Sequence, residues 1–162
     1  MSILVGIDPG MTGAIGIIDA AENSITTWDM PLVKARNGKN ILNIPALADM
    51  LRIVQGKMHN AQWKQGVGAE PIKLEAVHAM PKQGVTSSFN FGMGYGAIQG
   101  VIQTLGMPMQ LVTPQKWKRA AGLIGADKDY ARTLALQLWP DADLDRKKDI
   151  GRADALLIAR YG

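Results

Sequence analysis

Apolar runs separated by turn residues dominate the first thirty positions of the chain. The run at 3–7 predicts a strand that is buried on both faces, and it ends in a carboxylate, Asp8. Two further runs with short turns between them predict an antiparallel meander over 14–18 and 25–30. The polar and basic stretch at 33–40 predicts a mobile loop. Asp8 therefore lies at the end of a central strand, where an unpaired charge is costly.

Helical and strand periodicities alternate along the rest of the chain. Alternation over the fourth predicted strand puts Glu75 on the face opposite Ile72 and Leu74. Three strands come first and are followed by a helix, a strand, a helix, a strand and three helices. This order predicts an α/β fold, a mixed sheet with helices on both faces. The remaining predicted elements are a helix at 44–58 capped by Asn43, strands at 72–77 and 109–112, and helices at 89–105, 114–119, 128–139 and 150–160.

The helix predicted at 89–105 contains four glycines, at positions 92, 94, 96 and 100. Each glycine costs about 1 kcal/mol of helix propensity. The usual compensation is close approach of another backbone, here a sheet or a second subunit. A glycine-rich nucleotide loop is rejected because no strand leads directly into this run.

The composition is that of an ordinary globular protein, and the length predicts one domain spanning 1–162. The absence of cysteine excludes disulfides and thiolate zinc sites. The net charge is +4 and basic residues are concentrated beyond position 112, a pattern that favours a polyanionic partner. No signal peptide or membrane span is evident, so a cytoplasmic location and no membrane partner are expected.

Acidic residues are predicted at the ends of strands and on the last helix. Asp154 interrupts the apolar stripe of that helix, and Asp149 directly precedes it. Carboxylates without accompanying histidine or cysteine are suited to Mg²⁺ or Mn²⁺. Two alternatives remain open. Asp8 only hydrogen-bonds the turn that follows it, and Asp149 is only a helix cap.

Several short motifs occur together in one order along nearly the whole chain. On these motifs the chain resembles RuvC-type Holliday junction resolvases, with the pattern closest to the phage and chloroplast branch. The motifs are GIDPG at 6–10, Glu75, GVTSSF at 84–89, VTPQKWK at 112–118, GADK at 125–128, KKD at 147–149 and RADALL at 152–157.

The resemblance implies an RNase H-like fold with a five-stranded mixed sheet, a homodimer, and paired symmetric nicking of four-way DNA junctions. It implies Mg²⁺ as the cofactor, with Mn²⁺ as a substitute, and no nucleotide cofactor. Asp8, Glu75, Asp149 and Asp154 match the catalytic, metal-binding acids. In the bacterial pattern the last two acids are three residues apart, whereas Gly151 occupies that place here, so Asp149 is taken as the fourth acid.

The same resemblance implies a set of DNA-contacting residues. Each lysine has the alternative of belonging to a solvated face, and Phe91 and Trp117 are expected in the core rather than at DNA. Phe89 is the candidate for stacking on bases at the junction centre. The predicted DNA-binding residues are Lys82, Phe89, Lys116, Lys118, Lys128, Lys147 and Lys148.

Three other functions are compatible with parts of this pattern. The first is another RNase H-like nuclease that acts on branched DNA or on RNA–DNA hybrids. The second is a junction-binding protein without catalysis, which retention of all four acids argues against. The third, an actin-like ATPase or sugar kinase, requires two domains around a nucleotide, and 162 residues are too few for them.

Overall fold

The structure is a computed structural model that describes residues 3–65, 70–78 and 84–162. Among the described residues, no helix is both long and apolar enough to cross a membrane. The strands are β1 (Ile3–Asp8), β2 (Ala14–Asp19), β3 (Ser24–Asp29), β4 (Leu32–Lys34), β5 (Asn40–Leu42), β6 (Ile72–Glu75) and β7 (Met109–Val112). The helices are α1 (Ile44–Gln65), α2 (Val85–Thr104), α3 (Pro114–Ala120), α4 (Lys128–Leu138) and α5 (Ile150–Tyr161), and a short 3-10 turn (Lys147–Asp149) precedes α5.

The main sheet is five-stranded and mixed, in the order β3-β2-β1-β6-β7. Strands β1, β2 and β3 form the predicted antiparallel meander. Strands β6 and β7 run parallel to β1, with Ile7 opposite Leu74 and Glu75 opposite Val112. The predicted mixed sheet is confirmed, with β1 at its centre and the carboxyl ends of three parallel strands at one edge.

The two faces of β1 serve different layers, as its alternation predicts. Ile3, Val5 and Ile7 pack in a core cluster with residues of α1 and α2. Gly6 on the other face lies against α5, and a second cluster joins Ile18 of β2 to α4 and α5. Helices therefore cover both faces of the sheet, as expected.

The stretch at 33–40, predicted as a mobile loop, is instead a β-hairpin with a polar tip. Val33 pairs with Ile41 in the two-stranded sheet formed by β4 and β5. The turn is closed by a hydrogen bond from the Ala35 amide to the Lys39 carbonyl, and Gly38 has a φ of 77°. The prediction was wrong because it weighed the polar tip and not the apolar residues that flank it and pair across the hairpin.

Helix α5 lies directly on the backbone of β1 and β2. Gly6 and Gly16 face each other across these strands and form a patch without side chains. A Cβ atom on Gly6 would lie 2.2 Å from the Ala155 carbonyl oxygen, and one on Gly16 would lie 2.7 Å from the Leu156 amide nitrogen. Because no real side chain tolerates such distances, glycine at both positions is required for α5 to reach the sheet.

The glycines of α2 do not have this role within the chain. A Cβ atom on Gly92, Gly94, Gly96 or Gly100 would meet no atom of the described residues within 4 Å. The expected alternative of close approach to this chain's own sheet is therefore wrong. The close approaches are at β1, β2 and the start of α5, where strand and helix backbones meet.

We predict that Gly6→Ala destabilises the protein by about 3 kcal/mol or more, because the added methyl group collides with backbone atoms that cannot move independently. The matched control is Gly56→Ala on α1, where a Cβ atom has open space. That change is expected to stabilise the protein by up to about 1 kcal/mol through helix propensity. Chemical denaturation of both variants measures the difference, and equal effects would contradict the docking role of Gly6.

Candidate active site

Asp8 and Glu75 lie at the carboxyl ends of neighbouring parallel strands. The pairing of Ile7 with Leu74 brings the two acids side by side, one residue further along each strand. By strand alternation, both side chains lie on the face of the sheet that α5 covers. The opposite face packs against α1 and α2. The Gly10 amide donates a 3.1 Å hydrogen bond to Oδ1 of Asp8, so the turn contact proposed for Asp8 is present as well.

Asp154 reaches the same place from α5. The first turn of α5 is held against the β1–β2 turn, since a Cβ atom on Gly151 would lie 2.2 Å from the Thr12 carbonyl oxygen. Asp154 follows one turn later. Burial raises the pKa of Asp154 to about 7, and the negative charges of Asp8 and Glu75 add to that rise. Three acids that are distant in sequence thus interact electrostatically.

The other two acids are also in an environment that disfavours their charge. Burial raises the pKa of Asp8, against the hydrogen bond from Gly10 and the charge of Lys118. Burial also raises the pKa of Glu75, opposed by a hydrogen bond from Trp117, raised further by Asp8 and lowered by Lys118. Lys118 is thus a cation that acts on all three carboxylates. Its single charge does not offset their burial, so the site favours additional positive charge.

An open cavity of about 450 Å³ lies over two of these acids, and Glu75 is outside its lining. Asp8 and Asp154 line it, and Leu123 and Ala131 contribute its apolar wall. Four of the seven residues predicted to contact DNA line the same cavity. They are Lys118, Lys128, Lys147 and Lys148.

The remaining predicted DNA contacts lie elsewhere. Lys116 is exposed on α3 and outside the lining of this cavity. Phe89 is 65% exposed in the first turn of α2, whereas Phe91 is partly buried and stacks on Tyr95 with ring centroids 6.4 Å apart. Lys82 lies outside the described residues.

Trp117 is a part of the site that sequence reasoning assigned to the core alone. Its side chain is fully buried, as expected, but Nε1 also donates a 2.9 Å hydrogen bond to Oε1 of Glu75. The available signal was its position between Lys116 and Lys118 in a motif already assigned to the site. A buried indole N–H usually requires a polar partner.

Asp149 is not brought together with the other three acids. Its side chain is 1% exposed, and Arg146 donates to Oδ1 at 2.6 Å and 2.9 Å while the Arg146 amide donates to Oδ2 at 2.8 Å. These bonds hold the pKa of Asp149 below its ordinary value. Asp149 lines a separate cavity with Met11 and Asp29. The role of Asp149 as a fourth ligand stays a prediction, and in the structure its carboxylate caps the preceding 3-10 turn rather than α5.

A network of ion pairs fixes the segment before α5. Arg152 donates from Nε to Asp29 at 2.6 Å, at the end of β3, and also pairs with Asp143 in the connection from α4. Arg146 pairs with Asp149 and also lies 4.0 Å from Asp29, so it joins Asp149 to this network. The sequence suggested none of these pairs. Together they tie the segment that carries Lys147 and Lys148 to the edge of the sheet.

The donor set fits a hard divalent cation. Asp8, Glu75 and Asp154 offer only carboxylate oxygens, which suit Mg²⁺ or Mn²⁺. Within the three described segments, no group of three or more histidine or acidic side chains is already close enough to hold an ion. A cation held by all three carboxylates would therefore require their side chains to move closer together than they are in this structure.

No protein-family model matches the chain. A chloroplastic Holliday junction resolvase, MOC1 of Chlamydomonas reinhardtii, is 28% identical over 157 residues, a match that includes 88% of this chain and 18% of the relative. The chain therefore spans less than a fifth of that relative's length.

Two solved structures have a similar fold. RuvC of Thermus thermophilus superposes with a TM-score of 0.59 at 16% identity, over 97% of this chain and 90% of RuvC. T. thermophilus RuvC in complex with a Holliday junction substrate gives a TM-score of 0.60 at 18% identity. This match covers 98% of this chain and 91% of the RuvC chain. The predicted RNase H-like fold is confirmed. The resemblance to RuvC-type resolvases holds in sequence and in fold, and the sequence relative lies in the chloroplast branch.

We predict that Asp154→Asn stabilises the metal-free protein at high pH. The pKa of Asp154 is raised from 3.8 to about 7 in the folded state, so the unfolded state binds fewer protons between these values. Wild-type stability should therefore fall as the pH rises from about 4 to about 7, by roughly 2 to 4 kcal/mol. Denaturation in EDTA at pH 5 and pH 8 checks this. Parallel pH profiles for wild type and variant would contradict the burial of a strained carboxylate.

Proposed function

We propose that this chain is a structure-selective endonuclease that resolves four-way DNA junctions by paired symmetric nicks. The observation that carries the proposal is the electrostatic coupling of Asp8, Glu75 and Asp154, each with a raised pKa, beside a cavity that Asp8, Asp154 and four lysines line. The similarity to MOC1, a Holliday junction resolvase, and the fold shared with RuvC support the choice of substrate.

The proposed chemistry is hydrolysis of a phosphodiester. Asp8 and Glu75, on adjacent strand ends, and Asp154, on α5, would hold Mg²⁺, with Mn²⁺ as a substitute. When bound, the cation supplies an activated water and stabilises the leaving oxygen. Lys118 faces all three acids and is the residue best placed to neutralise the scissile phosphate. Lys128 lines the same cavity and adds a second positive charge beside Asp154.

Asp149 has a different role in this proposal from the one expected of a fourth ligand. Because Arg146 binds both of its oxygens, its carboxylate is committed to shaping the 3-10 turn. That turn presents Lys147 and Lys148 to the cavity. Asp149 would thus contribute to DNA binding through the position of these lysines.

The proposed DNA path follows the basic side chains around the acids. Lys128, Lys147 and Lys148 all line the cavity, and we propose that they contact phosphates of a strand entering the site. Lys116 extends the path along α3. Phe89, exposed at the start of α2, would stack on bases at the open junction centre. Lys82 enters the proposal through the resemblance alone.

A homodimer is proposed to account for two symmetric cuts, since a two-fold axis relates two identical sites. Helix α2 supports this role. Gly92, Gly96 and Gly100 recur every fourth residue and are exposed, so they form one face without side chains. Met93 beside them is 54% exposed. A helix from a second copy is the expected partner for such a face.

The alternative functions are not favoured by any specific observation. Another RNase H-like nuclease would use the same acids, and a substrate panel distinguishes it. A non-catalytic junction-binding protein would not need three buried carboxylates. We propose a single domain acting in the cytoplasm of a bacterial or phage-infected cell, although the similar MOC1 protein is chloroplastic.

We predict that Asp8→Asn abolishes nicking of a four-way junction in Mg²⁺, by at least about 1000-fold, while junction affinity stays within about threefold of wild type. Loss of one ligand removes the cation but leaves the lysines in place. Cleavage gels and binding measured in Ca²⁺ or EDTA check both parts.

The substrate panel for this experiment contains a four-way junction, a flap, a linear duplex and an RNA–DNA hybrid of matched length. Symmetric nicks confined to the junction support the proposal. Equal cleavage of the hybrid would transfer the assignment to a general RNase H-like nuclease. Loss of binding by Asp8→Asn would instead make the carboxylate structural.

We predict that Gly96→Arg converts the protein from dimer to monomer without unfolding it, because the side chain has open space within the chain and obstructs only a second copy. Paired nicking should fall together with dimer mass in light scattering. Gly56→Arg on α1 is the matched control and should remain dimeric. A Gly96→Arg protein that is still dimeric would contradict the use of this face.

A further inference from the structure

We infer that Trp117 is a positioning residue for the site: its indole N–H fixes Glu75 in the orientation that receives the divalent cation. This inference rests on the proposed function and adds a residue that the resemblance assigned only to a basic motif. The supporting evidence is geometric and comes from β6, β7, α3 and α5.

Strand pairing and the position where α3 begins together place Trp117 beside Glu75. Glu75 pairs with Val112, the last residue of β7. Thr113 then caps α3, its Oγ1 accepting from the Lys116 amide at 3.2 Å, and Pro114 occupies the first helical position. A cap and a proline fix where the helix begins, so the first turn of α3 sets the indole back against the end of β6.

The indole is enclosed by apolar side chains of several elements. Trp117 is fully buried and packs in a cluster with Val112, Leu123, Leu157 and Ile158. Two of these residues belong to α5, the helix that also carries Asp154. The ring is therefore packed between the sheet and α5, with its N–H directed at Glu75.

The hydrogen bond occupies one oxygen of Glu75 and leaves the other for a ligand. Nε1 donates to Oε1 at 2.9 Å, and among the side-chain hydrogen bonds of the described residues this is the contact that reaches Glu75. A donated N–H favours the ionised carboxylate, which is the form that binds a cation. It opposes the burial and the charge of Asp8 that raise the pKa of Glu75.

The ammonium group of Lys118 lies over the face of the same ring. Nζ of Lys118 lies 5.3 Å from the Trp117 ring centroid. Trp117 thus contacts both Glu75, through its edge, and Lys118, through its face. A substitution that keeps the face and removes the N–H separates these two contacts, and phenylalanine makes that change.

The experiment compares Trp117→Phe with Trp139→Phe as a matched control. Trp139 is partly buried at the end of α4 and has Arg160 over its ring at 6.0 Å, which gives it a similar environment without a carboxylate partner. Mn²⁺ binding is measured by electron paramagnetic resonance in the absence of DNA. Trp117→Phe should weaken Mn²⁺ binding by about tenfold or more, while Trp139→Phe leaves it unchanged.

Further measurements separate positioning from folding. Trp117→Phe should keep its junction affinity in EDTA and should regain nicking at high Mn²⁺, which a merely destabilised core would not do. Unchanged Mn²⁺ affinity in a folded Trp117→Phe protein overturns the inference. If wild-type protein fails to nick junctions, the proposed function fails instead, so the two outcomes are distinguishable.

A measurement on the wild-type side chain covers the case in which Trp117→Phe does not fold. In nitrogen-15 spectra, the indole N–H signal that moves on Glu75→Gln substitution identifies Trp117. Mg²⁺ should shift that signal and leave the signal of Trp139 in place. An indole signal of Trp117 that does not respond to saturating Mg²⁺ overturns the inference.

Discussion

The contact on which this site depends is the approach of α5 to the bare backbone of β1 and β2. Gly6 and Gly16 face each other across the two strands, and backbone atoms of α5 occupy the space where their side chains would be. This contact sets how close a helical residue can come to a strand end. Asp154 on α5 is therefore close enough to interact with Asp8 and Glu75, and a side chain between the layers would move it away from both. The apolar packing of the other helices supports the sheet but does not determine this distance.

Bringing three carboxylates together in a partly buried place is unfavourable by itself. Burial raises the pKa of each of them, and their mutual repulsion adds to the effect for Glu75 and Asp154. The protein provides only partial compensation, through Lys118 and through the N–H of Trp117. A site in this condition gains most from a divalent cation and from an anionic ligand above it. In the proposed function, the lysines around the cavity would supply the binding energy for that anion while the acids would supply the chemistry.

The segment before α5 illustrates how ion pairs can position cations. Asp149 and Arg146 are bound to each other, and Arg152 holds Asp29 and Asp143 from one side chain. The carboxylates of this network are neutralised within the protein, unlike those of the site. Lys147 and Lys148 belong to this fixed segment and line the cavity.

The sequence by itself determined the order of most elements, the faces of β1 and β6, and the positions of three acids that influence one another's pKa. These follow from local periodicity: Asp8 ends an apolar run, Glu75 alternates away from the core, and Asp154 interrupts an apolar stripe. Only the tertiary structure decided that Asp149 pairs with Arg146, that Trp117 donates to Glu75, and that 33–40 forms a hairpin. The physical reason is that periodicity reports which face a residue occupies, whereas hydrogen-bond partners depend on where other segments lie. The partner of a carboxylate is chosen by distances of a few ångströms between segments far apart along the chain.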